Sequence, residues 1–415
     1  MSIKKIIKRL KTKLSDGSLS NDIPIGADAE NVFFTSGHTL DEVVGNIDID
    51  TDGDIATQLA NGGGGSSERG LVFNTTRALI FSRSNAFGEI PTLKDGDVVT
   101  TNGYHEEGVG AARFKIHIYD TQQTVDSVTT INITKSSLDG DKYVYATIIP
   151  EGQSIDLVQL GAGNYSNEDS APYWNAAIQF CQTKGLKLTV SSYKVSYRIQ
   201  NPITITGGIE IEGINTNKNF PLITIPDASY GKPFYSNADG PVFNITPLER
   251  SSDWRNSIVS IKNLTIQNLS NATTFGFKGV SSSADFANSA TTILENISIK
   301  CSTRGWPHIR IQENASNIIF RNFRIRNGSD SGATKPEIIE ILSATQGIAF
   351  YDCKFYRASS SSSNLWFTID SAVPISSVYV SFCNCYIADN LTAPAYETTY
   401  GTRFVNCIRK AIDSI

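Results

Sequence analysis

A short pattern of apolar and polar positions recurs along the second half of the chain. It reads apolar, any residue, Asn or Asp, apolar, any residue, apolar, as in IKNLTI, LENISI, FRNFRI, FYDCKF and FCNCYI, and FVNCI begins one more copy. Successive copies are 22 to 33 residues apart. A constant strand motif with variable spacing is typical of a solenoid whose rungs match while its loops differ. The turn positions of these copies are Asn263, Asn296, Asn322, Asp352, Asn384 and Asn406.

The Asn or Asp of each copy predicts a sharp bend between two strands, because these residues tolerate the left-handed backbone conformation. After the bend, the first and third residues point inward and the second points outward. Rungs stacked about 4.8 Å apart bring like positions together, so we predict an all-β protein built on a parallel β-helix. The predicted inward columns are Leu264, Ile297, Phe323, Cys353, Cys385 and Cys407, and Ile266, Ile299, Ile325, Phe355 and Ile387.

The two cysteines of FCNCYI allow three interpretations. Thiolates are good zinc ligands, and two cysteines on neighbouring rungs are close enough to form a disulfide. The repeat favours the third interpretation, in which Cys385 is a small apolar core residue between Cys353 and Cys407. Cys383 lies just before the bend and is predicted to face outward.

Residues 67–158 alternate between apolar and polar positions with a period of two, which predicts a small, mostly antiparallel β domain. In ARFKIHIYD, for example, Phe114, Ile116 and Ile118 share one face, and Lys115 and His117 share the other.

The N-terminal segment 1–66 carries a short amphipathic helix pattern and ends in the Gly-rich linker NGGGGSS. Ile3, Ile7, Leu10 and Leu14 form a heptad seam among lysines. Because so short a helix is marginal in water, we predict that it associates with other copies or docks on a partner. A membrane-surface helix and a disordered segment are the alternatives.

The segment that precedes the repeats resembles the start of the pectate-lyase-like right-handed β-helices of bacteriophage tailspikes. That resemblance rests on a Gly-Ala turn, an acidic turn, an amphipathic helix near residues 172–183, a glycine and a strand. The upstream GDVVTTNGYHEEGVGAARFKI resembles the small β domain of tailspikes, and GADAENVFF with TLDEVV resembles virion-anchoring segments. The β-helix is accordingly predicted over residues 159–415. The matching residues are Gly161, Ala162, Glu168, Asp169, Gly185, Tyr193, Lys194 and Val195.

The resemblance implies a homotrimer in the virion that docks on a phage tail or baseplate protein through its N-terminus. It also implies binding or cleavage of polysaccharide at the bacterial cell surface, with a hydrolase and a lyase as the two enzymatic options. The alternative is a non-enzymatic structural or adaptor tail protein that carries or contacts other fibres. A free secreted polysaccharide-active enzyme is a third hypothesis, which the N-terminal docking helix disfavours.

Charge, hydropathy and histidine placement argue against nucleic-acid binding, a membrane span and a metal site. A net charge of −5 argues against a general nucleic-acid binder. No apolar run is long enough to span a membrane. The four histidines are scattered along the chain, so we expect neither a metal site nor a cofactor.

Glycoside cleavage needs two carboxylates at a defined separation, and lyase chemistry needs a base and a charge-neutralising group. No linear motif identifies them. The candidates lie in loops and on strand faces of the middle rungs, and for each the alternative is a solvated surface carboxylate. They are Asp285, Glu313, Asp330, Glu337 and Glu340.

The outward positions after the bends predict a basic surface. One outward column runs Thr265, Ser298, Arg324, Lys354 and Tyr386, and the second runs Gln267, Lys300, Arg326, Tyr356 and Ala388. Because like charges on neighbouring strands repel, we expect an anionic glycan or an acidic surface of another subunit to offset them. A solvated face is the alternative. Trp306 either stacks on a sugar ring or caps the core. The candidate glycan-binding residues are Lys300, Arg324, Arg326, Lys354, Tyr356 and Trp306.

Overall fold

The computed structural model describes fourteen stretches of the chain between residues 71 and 410. The segment 1–66 and its predicted helix (Ile3, Ile7, Leu10 and Leu14) lie outside the described residues, as do Asp285, Trp306, Asp330 and Glu337. No helix in the described stretches is long and apolar enough to cross a membrane. The described residues are 71–81, 93–133, 142–163, 169–192, 196–215, 219–226, 241–246, 258–270, 272–279, 291–301, 308–327, 338–357, 366–388 and 401–410.

The first part of the described chain forms a five-stranded sheet, here called the small sheet, with the order β1-β2-β3-β5-β4. Its pairings are antiparallel except for that of β1 with β2. Phe114 and Ile116 are buried on its inner face and Ile118 packs against the core, which confirms the predicted alternation. The helix α1 spans Thr76–Ile80. The strands are β1 (Leu71–Phe73), β2 (Val98–Thr101), β3 (Ala112–Tyr119), β4 (Thr130–Ile133) and β5 (Tyr143–Ile149).

A second helix, α2 (Ala171–Lys184), lies against the first rungs of the solenoid. It ends at Gly185, whose left-handed backbone (φ 66°) is the usual way to stop a helix. The sequence predicted a helix near 172–183 with Trp174, Ala177, Ile178 and Cys181 on its apolar face, and all four are buried. The Trp174 ring packs edge-on against Phe243, with the ring centroids 6.0 Å apart.

The rest of the described chain coils into a parallel β-helix, which confirms the predicted fold. From Asn263 to Asp352, each rung has a first leg, an Asn or Asp bend, a second leg and a third strand. First-leg strands are β6 (Ser154–Asp156), β7 (Lys187–Ser191), β10 (Ile209–Ile214), β13 (Ile258–Asn268), β15 (Thr291–Cys301), β17 (Ile318–Arg321), β20 (Thr345–Tyr351), β23 (Val378–Cys383) and β25 (Thr402–Val405), of which β13 and β15 continue into the second leg. Second-leg strands are β8 (Tyr197–Arg198), β11 (Leu222–Ile225), β18 (Arg324–Asn327), β21 (Lys354–Arg357), β24 (Tyr386–Ala388) and β26 (Ile408–Lys410). The third sheet contains β9 (Ile203–Ile205), β12 (Phe243–Ile245), β14 (Phe275–Lys278), β16 (Ile309–Gln312), β19 (Ile339–Ile341) and β22 (Phe367–Ile369).

The bends have the geometry that the repeat predicts. All six Asn or Asp residues are left-handed, with φ between 46° and 60°. The side chains of three of them also form a ladder, in which Asn296 Nδ2 donates to Asn263 Oδ1 at 3.0 Å and Asn322 Nδ2 donates to Asn296 Oδ1 at 2.8 Å. The ladder provides hydrogen-bond partners for these side-chain amides at the corner where the first and second legs meet.

The predicted inward columns form the core. Every member is buried except Cys407 in the last rung, which is half-buried. Next to them, the rings of successive first legs stack almost parallel, because equivalent positions lie one rung apart. The ring centroids of Phe320 and Phe350, for instance, are 4.4 Å apart. Stacked aromatic pairs add about 0.5–1.5 kcal/mol each beyond the burial of their area.

The cysteines of the repeat are free thiols, and the core interpretation of Cys385 is confirmed. Its Sγ donates a hydrogen bond to the Phe350 carbonyl at 3.5 Å. Cys383 is half-buried on the outward side of its strand. Among the described residues no cluster of His, Cys, Asp or Glu has an arrangement that fits a metal ion.

Candidate functional site

The outward side of the second legs gathers all the candidate binding residues except Trp306, together with Tyr386, on four neighbouring rungs. Lys300 pairs with Arg326, and Arg326 with Tyr356. In the other column Arg324 pairs with Lys354, and Lys354 with Tyr386. The predicted register is therefore confirmed for the whole first column and, in the second column, from Gln267 to Tyr356. We call this surface the basic face, defined by Lys300, Arg324, Arg326, Lys354, Tyr356 and Tyr386.

One predicted member of these columns behaves differently. Ala388 was expected to point outward, but it is fully buried. It is the last residue of β24, where the chain leaves the second-leg sheet, and a methyl side chain at a strand end is small enough to be covered completely. The basic face therefore ends at Tyr356 in that column.

The cations of the basic face are accessible. Lys300, Arg324 and Arg326 are exposed, and Lys354 is half-buried. The guanidinium carbon of Arg326 lies 5.9 Å from the centre of the Tyr356 ring, and Lys354 Nζ lies 5.1 Å from that of Tyr386. Such cation–π contacts orient two of the four cations while leaving their hydrogen-bond donors available.

No carboxylate in the described second legs balances this charge. These strands contain no Asp or Glu, and none of the four cations of the basic face forms an ion pair within the described part of the chain. Two like charges one rung apart repel by about 1 kcal/mol in water. An anion that bridges them removes this repulsion and gains charge-assisted hydrogen bonds, which arginine makes in pairs with carboxylates.

The adjacent first-leg face shows that the repeat does not force like charges together. Its outward column next to the bend runs Glu212, Lys262, Glu295 and Arg321 in register, so the charge alternates from rung to rung. Opposite charges on neighbouring strands stabilise a sheet. The repeat itself therefore does not impose the like charges of the basic face.

Two of the candidate catalytic carboxylates lie in the described chain, and both are held in ion pairs. Glu313 follows β16 in a left-handed turn, and its Oε1 lies 3.1 Å from Lys278 Nζ. Glu340 lies on the outward side of the third sheet, where its Oε2 accepts a hydrogen bond from Arg310 Nε at 2.8 Å. Neither residue belongs to the basic face.

The Arg310–Glu340 pair is almost fully buried, with 8% and 7% of the two residues exposed. From the sequence, Glu340 is predicted only as a single carboxylate, without its Arg310 partner. The sequence does contain a pattern that could have indicated the pair, because IRIQ carries an outward Arg and IEI, one rung later, carries an outward Glu. In the sequence no Asn precedes these two strands at a constant distance, so their register was not evident.

Phage tailspike proteins are among the solved structures that resemble this chain. No known family matches this sequence, and no curated protein does. Similar solved structures include the tailspike protein of Acinetobacter phage vB_ApiP_P1, at 16% identity and a TM-score of 0.45, covering 84% of this chain and 66% of that chain. Another is Pantoea stewartii WceF, a glycan biofilm modifying enzyme with a tailspike-like parallel β-helix, at 13% identity and a TM-score of 0.41 over 82% of this chain and 48% of that chain. A third is the tailspike gp49 of Acinetobacter baumannii bacteriophage Fri1, a capsular polysaccharide depolymerase, at 10% identity and a TM-score of 0.36 over 82% of this chain and 69% of that chain.

This chain spans less than two thirds of the length of the first two. The parallel β-helix itself is established by the strand register of this protein.

Proposed function

We propose that this protein is a tailspike-like virion protein that recognises an acidic polysaccharide of the bacterial surface through the basic face. The observation that carries the proposal is the set of four neighbouring cations without a carboxylate in the described second legs. A polysaccharide with a carboxylate on its repeating unit presents charges at regular intervals along an extended chain. Cations on successive rungs, about 4.8 Å apart, provide several contacts for such a chain within a short distance.

The basic face is proposed to bind rather than to cleave. Hydrolysis of a glycosidic bond by the usual route requires a pair of carboxyl groups, and the described second legs offer none. Depolymerase activity therefore depends on residues away from these strands, of which Asp285, Asp330 and Glu337 remain candidates. Trp306 remains a candidate for stacking on a sugar ring.

The binding proposal is tested with the double variant Arg324→Gln/Arg326→Gln of the full chain. The matched control is Lys262→Gln/Arg321→Gln, which removes the same charge from the neighbouring first-leg face. Binding to a panel of immobilised acidic bacterial polysaccharides is measured at low and at physiological salt. We expect the basic-face variant to bind at least tenfold more weakly and to lose about half of its salt dependence, because it removes two of the four cations. The control is expected to keep the wild-type affinity and salt dependence. Equal weakening in the two variants would contradict a specific role of the basic face.

The virion part of the proposal concerns the segment 1–66 and the assembly state. We propose that the protein is a homotrimer and that Ile3, Ile7, Leu10 and Leu14 form the docking side of a helix on a tail or baseplate protein. Deleting residues 1–66 is expected to abolish incorporation into particles and to leave polysaccharide binding intact. Loss of binding in the deletion variant would argue against separate attachment and recognition segments.

A non-enzymatic adaptor is the second candidate function, and the lack of carboxylates in the described second legs favours it over a depolymerase at that face. Release of oligosaccharides from host capsule or lipopolysaccharide distinguishes the two. Reducing ends alone indicate a hydrolase, and absorbance from unsaturated uronates indicates a lyase. No release from polysaccharides that the protein binds would support the adaptor.

A further inference from the structure

The outward side of the small sheet carries an aromatic cluster that the proposed function does not use. On β3 the outward residues change from Arg113 and Lys115 to His117 and Tyr119. In the pairing of β3 with β5, His117 lies opposite Tyr145 and Tyr119 opposite Tyr143. We call the surface formed by His117, Tyr119, Tyr143 and Tyr145 the aromatic face.

The ring of Tyr119 is held in place and is still accessible. Tyr145 forms the floor beneath it, because it is 1% exposed and its hydroxyl accepts a hydrogen bond from the Gln123 backbone N–H at 2.8 Å. The Tyr119 ring stands edge-on to Tyr145, with the centroids 5.9 Å apart, and its plane is within 25° of the His117 ring. Tyr119 nevertheless remains 42% exposed. A ring that its neighbours orient in advance loses little conformational freedom when a ligand stacks on it.

Core packing does not account for this exposed ring. The core of the small sheet lies on its opposite side, where Phe114, Ile116 and Val144 are buried. A protein partner is a poor fit as well, since stable interfaces bury many side chains around an apolar centre. Here one accessible tyrosine lies among three other aromatic residues, with polar and charged groups around them, and so small an apolar area suits a small ligand.

The chemistry of the surroundings points to a sugar ring. A pyranose has a face of C–H groups, which the negative face of an aromatic ring attracts, and a rim of hydroxyl groups that both donate and accept hydrogen bonds. Asn132 presents an exposed amide on β4, opposite Tyr145. Lys142 and Asp120 lie beside the outer end of β3, 3.9 Å apart and both exposed. Because this rim contains both charge signs, it does not select an anion as the basic face does.

We infer that the aromatic face is a second carbohydrate-binding site, at which a neutral pyranose stacks on Tyr119. The site is separate from the basic face, since it lies on the small sheet and not on the β-helix. The inference does not depend on the basic face binding polysaccharide.

The test is saturation-transfer NMR on the full chain with the methyl glycosides of glucose, galactose and N-acetylglucosamine. We expect transfer to the C–H protons of one face of at least one of these sugars. Tyr119→Phe retains the signal because stacking needs the ring, whereas Tyr119→Leu, which is apolar but not aromatic, reduces it at least fivefold. The matched control is Tyr379→Leu, which changes a tyrosine of similar exposure on the β-helix and retains the signal.

Two results would overturn the inference. One is the absence of transfer to all three sugars in the wild-type protein, and the other is an equal signal in wild type and Tyr119→Leu. Circular dichroism of each variant ensures that a lost signal does not reflect unfolding. The variant Arg324→Gln/Arg326→Gln is expected to retain the signal, so that failure of the basic-face proposal is distinguishable from failure of this one.

Discussion

Asn296 donates a side-chain hydrogen bond to Asn263 on the preceding rung, and the two amides are 3.0 Å apart at the same corner of the β-helix. Asn322 continues the ladder by donating to Asn296. Asn296 therefore has two roles, since its backbone is left-handed (φ 53°) and its side chain connects three rungs.

Substitution of Asn296 separates these two roles. Asn296→Ala loses about 0.5–1.5 kcal/mol for each hydrogen bond and adds about 1–2 kcal/mol of left-handed strain. Asn296→Gly loses the same hydrogen bonds without that strain. We expect both variants to unfold at lower temperature, with the alanine variant lower than the glycine variant, in thermal scans at one fixed rate. A glycine variant less stable than the alanine variant would argue against a left-handed backbone at this position.

The buried Arg310–Glu340 pair predicts a strong asymmetry between single and double substitutions. Glu340→Leu leaves a buried guanidinium without its carboxylate, which costs about 3–5 kcal/mol. Arg310→Met/Glu340→Leu removes both charges and is expected to recover most of that loss, because well-packed apolar replacements of buried pairs are close to neutral. Denaturant midpoints measure both effects. A double variant as unstable as the single one would mean that the pair provides contacts that apolar side chains cannot replace.

The thiols of the repeat should differ in reactivity. A hydrogen bond with Cys353, together with burial, raises the pKa of the Cys385 thiol, and burial raises the pKa of the half-buried Cys383 thiol. Because the thiolate is the reactive form and Cys385 is also inaccessible, we expect iodoacetamide to label Cys383 well before Cys385 in the native protein. Peptide mass spectrometry measures the two rates, and unfolding in denaturant should make them equal. Equal rates in the native state would contradict the stacked core position of Cys385.

The buried thiol of Cys181 on α2 is expected to lower the free energy of unfolding as the pH rises into the alkaline range. Burial raises the pKa of its thiol to about 12, whereas a thiol in an unfolded chain ionises near pH 8.5. The contribution of this thiol to the free energy of unfolding is therefore fully present below about pH 8.5, and it is lost as the pH rises toward the pKa of the folded state. This group contributes a decrease of up to about 1.4 kcal/mol per pH unit in that window. The slope of stability against pH should be shallower in Cys181→Ala, and identical slopes would rule out this source.

Much of the β-helix could be predicted because every copy of the repeat has the same local backbone geometry. A left-handed Asn at each bend sets where the second leg begins, and the strand period of two then decides which side chain points inward. Leu264 and Phe323 could be placed in the same core column without any tertiary information. The same reasoning placed Arg324 beside Lys354, since residues at equivalent positions of stacked rungs are neighbours.

The third sheet could not be predicted in the same way. Its strands IRIQ and IEI are short, no Asn precedes them at a fixed distance, and the connecting segments vary in length. The pairing of Arg310 with Glu340 and the burial of Ala388 consequently emerged only from the folded chain.

The sequence by itself determined the parallel stacking, the inward and outward columns and the concentration of like charges after the bends, because all three follow from local backbone geometry repeated at equivalent positions. Only the tertiary structure decided which charges are compensated and which rings stay exposed. Exposure of Tyr119 and burial of Glu340 depend on segments distant in the chain that cover one position and leave another open. The local sequence pattern does not indicate which side chains distant segments shield from solvent. That solvent exposure is what distinguishes a binding surface from a stabilising contact.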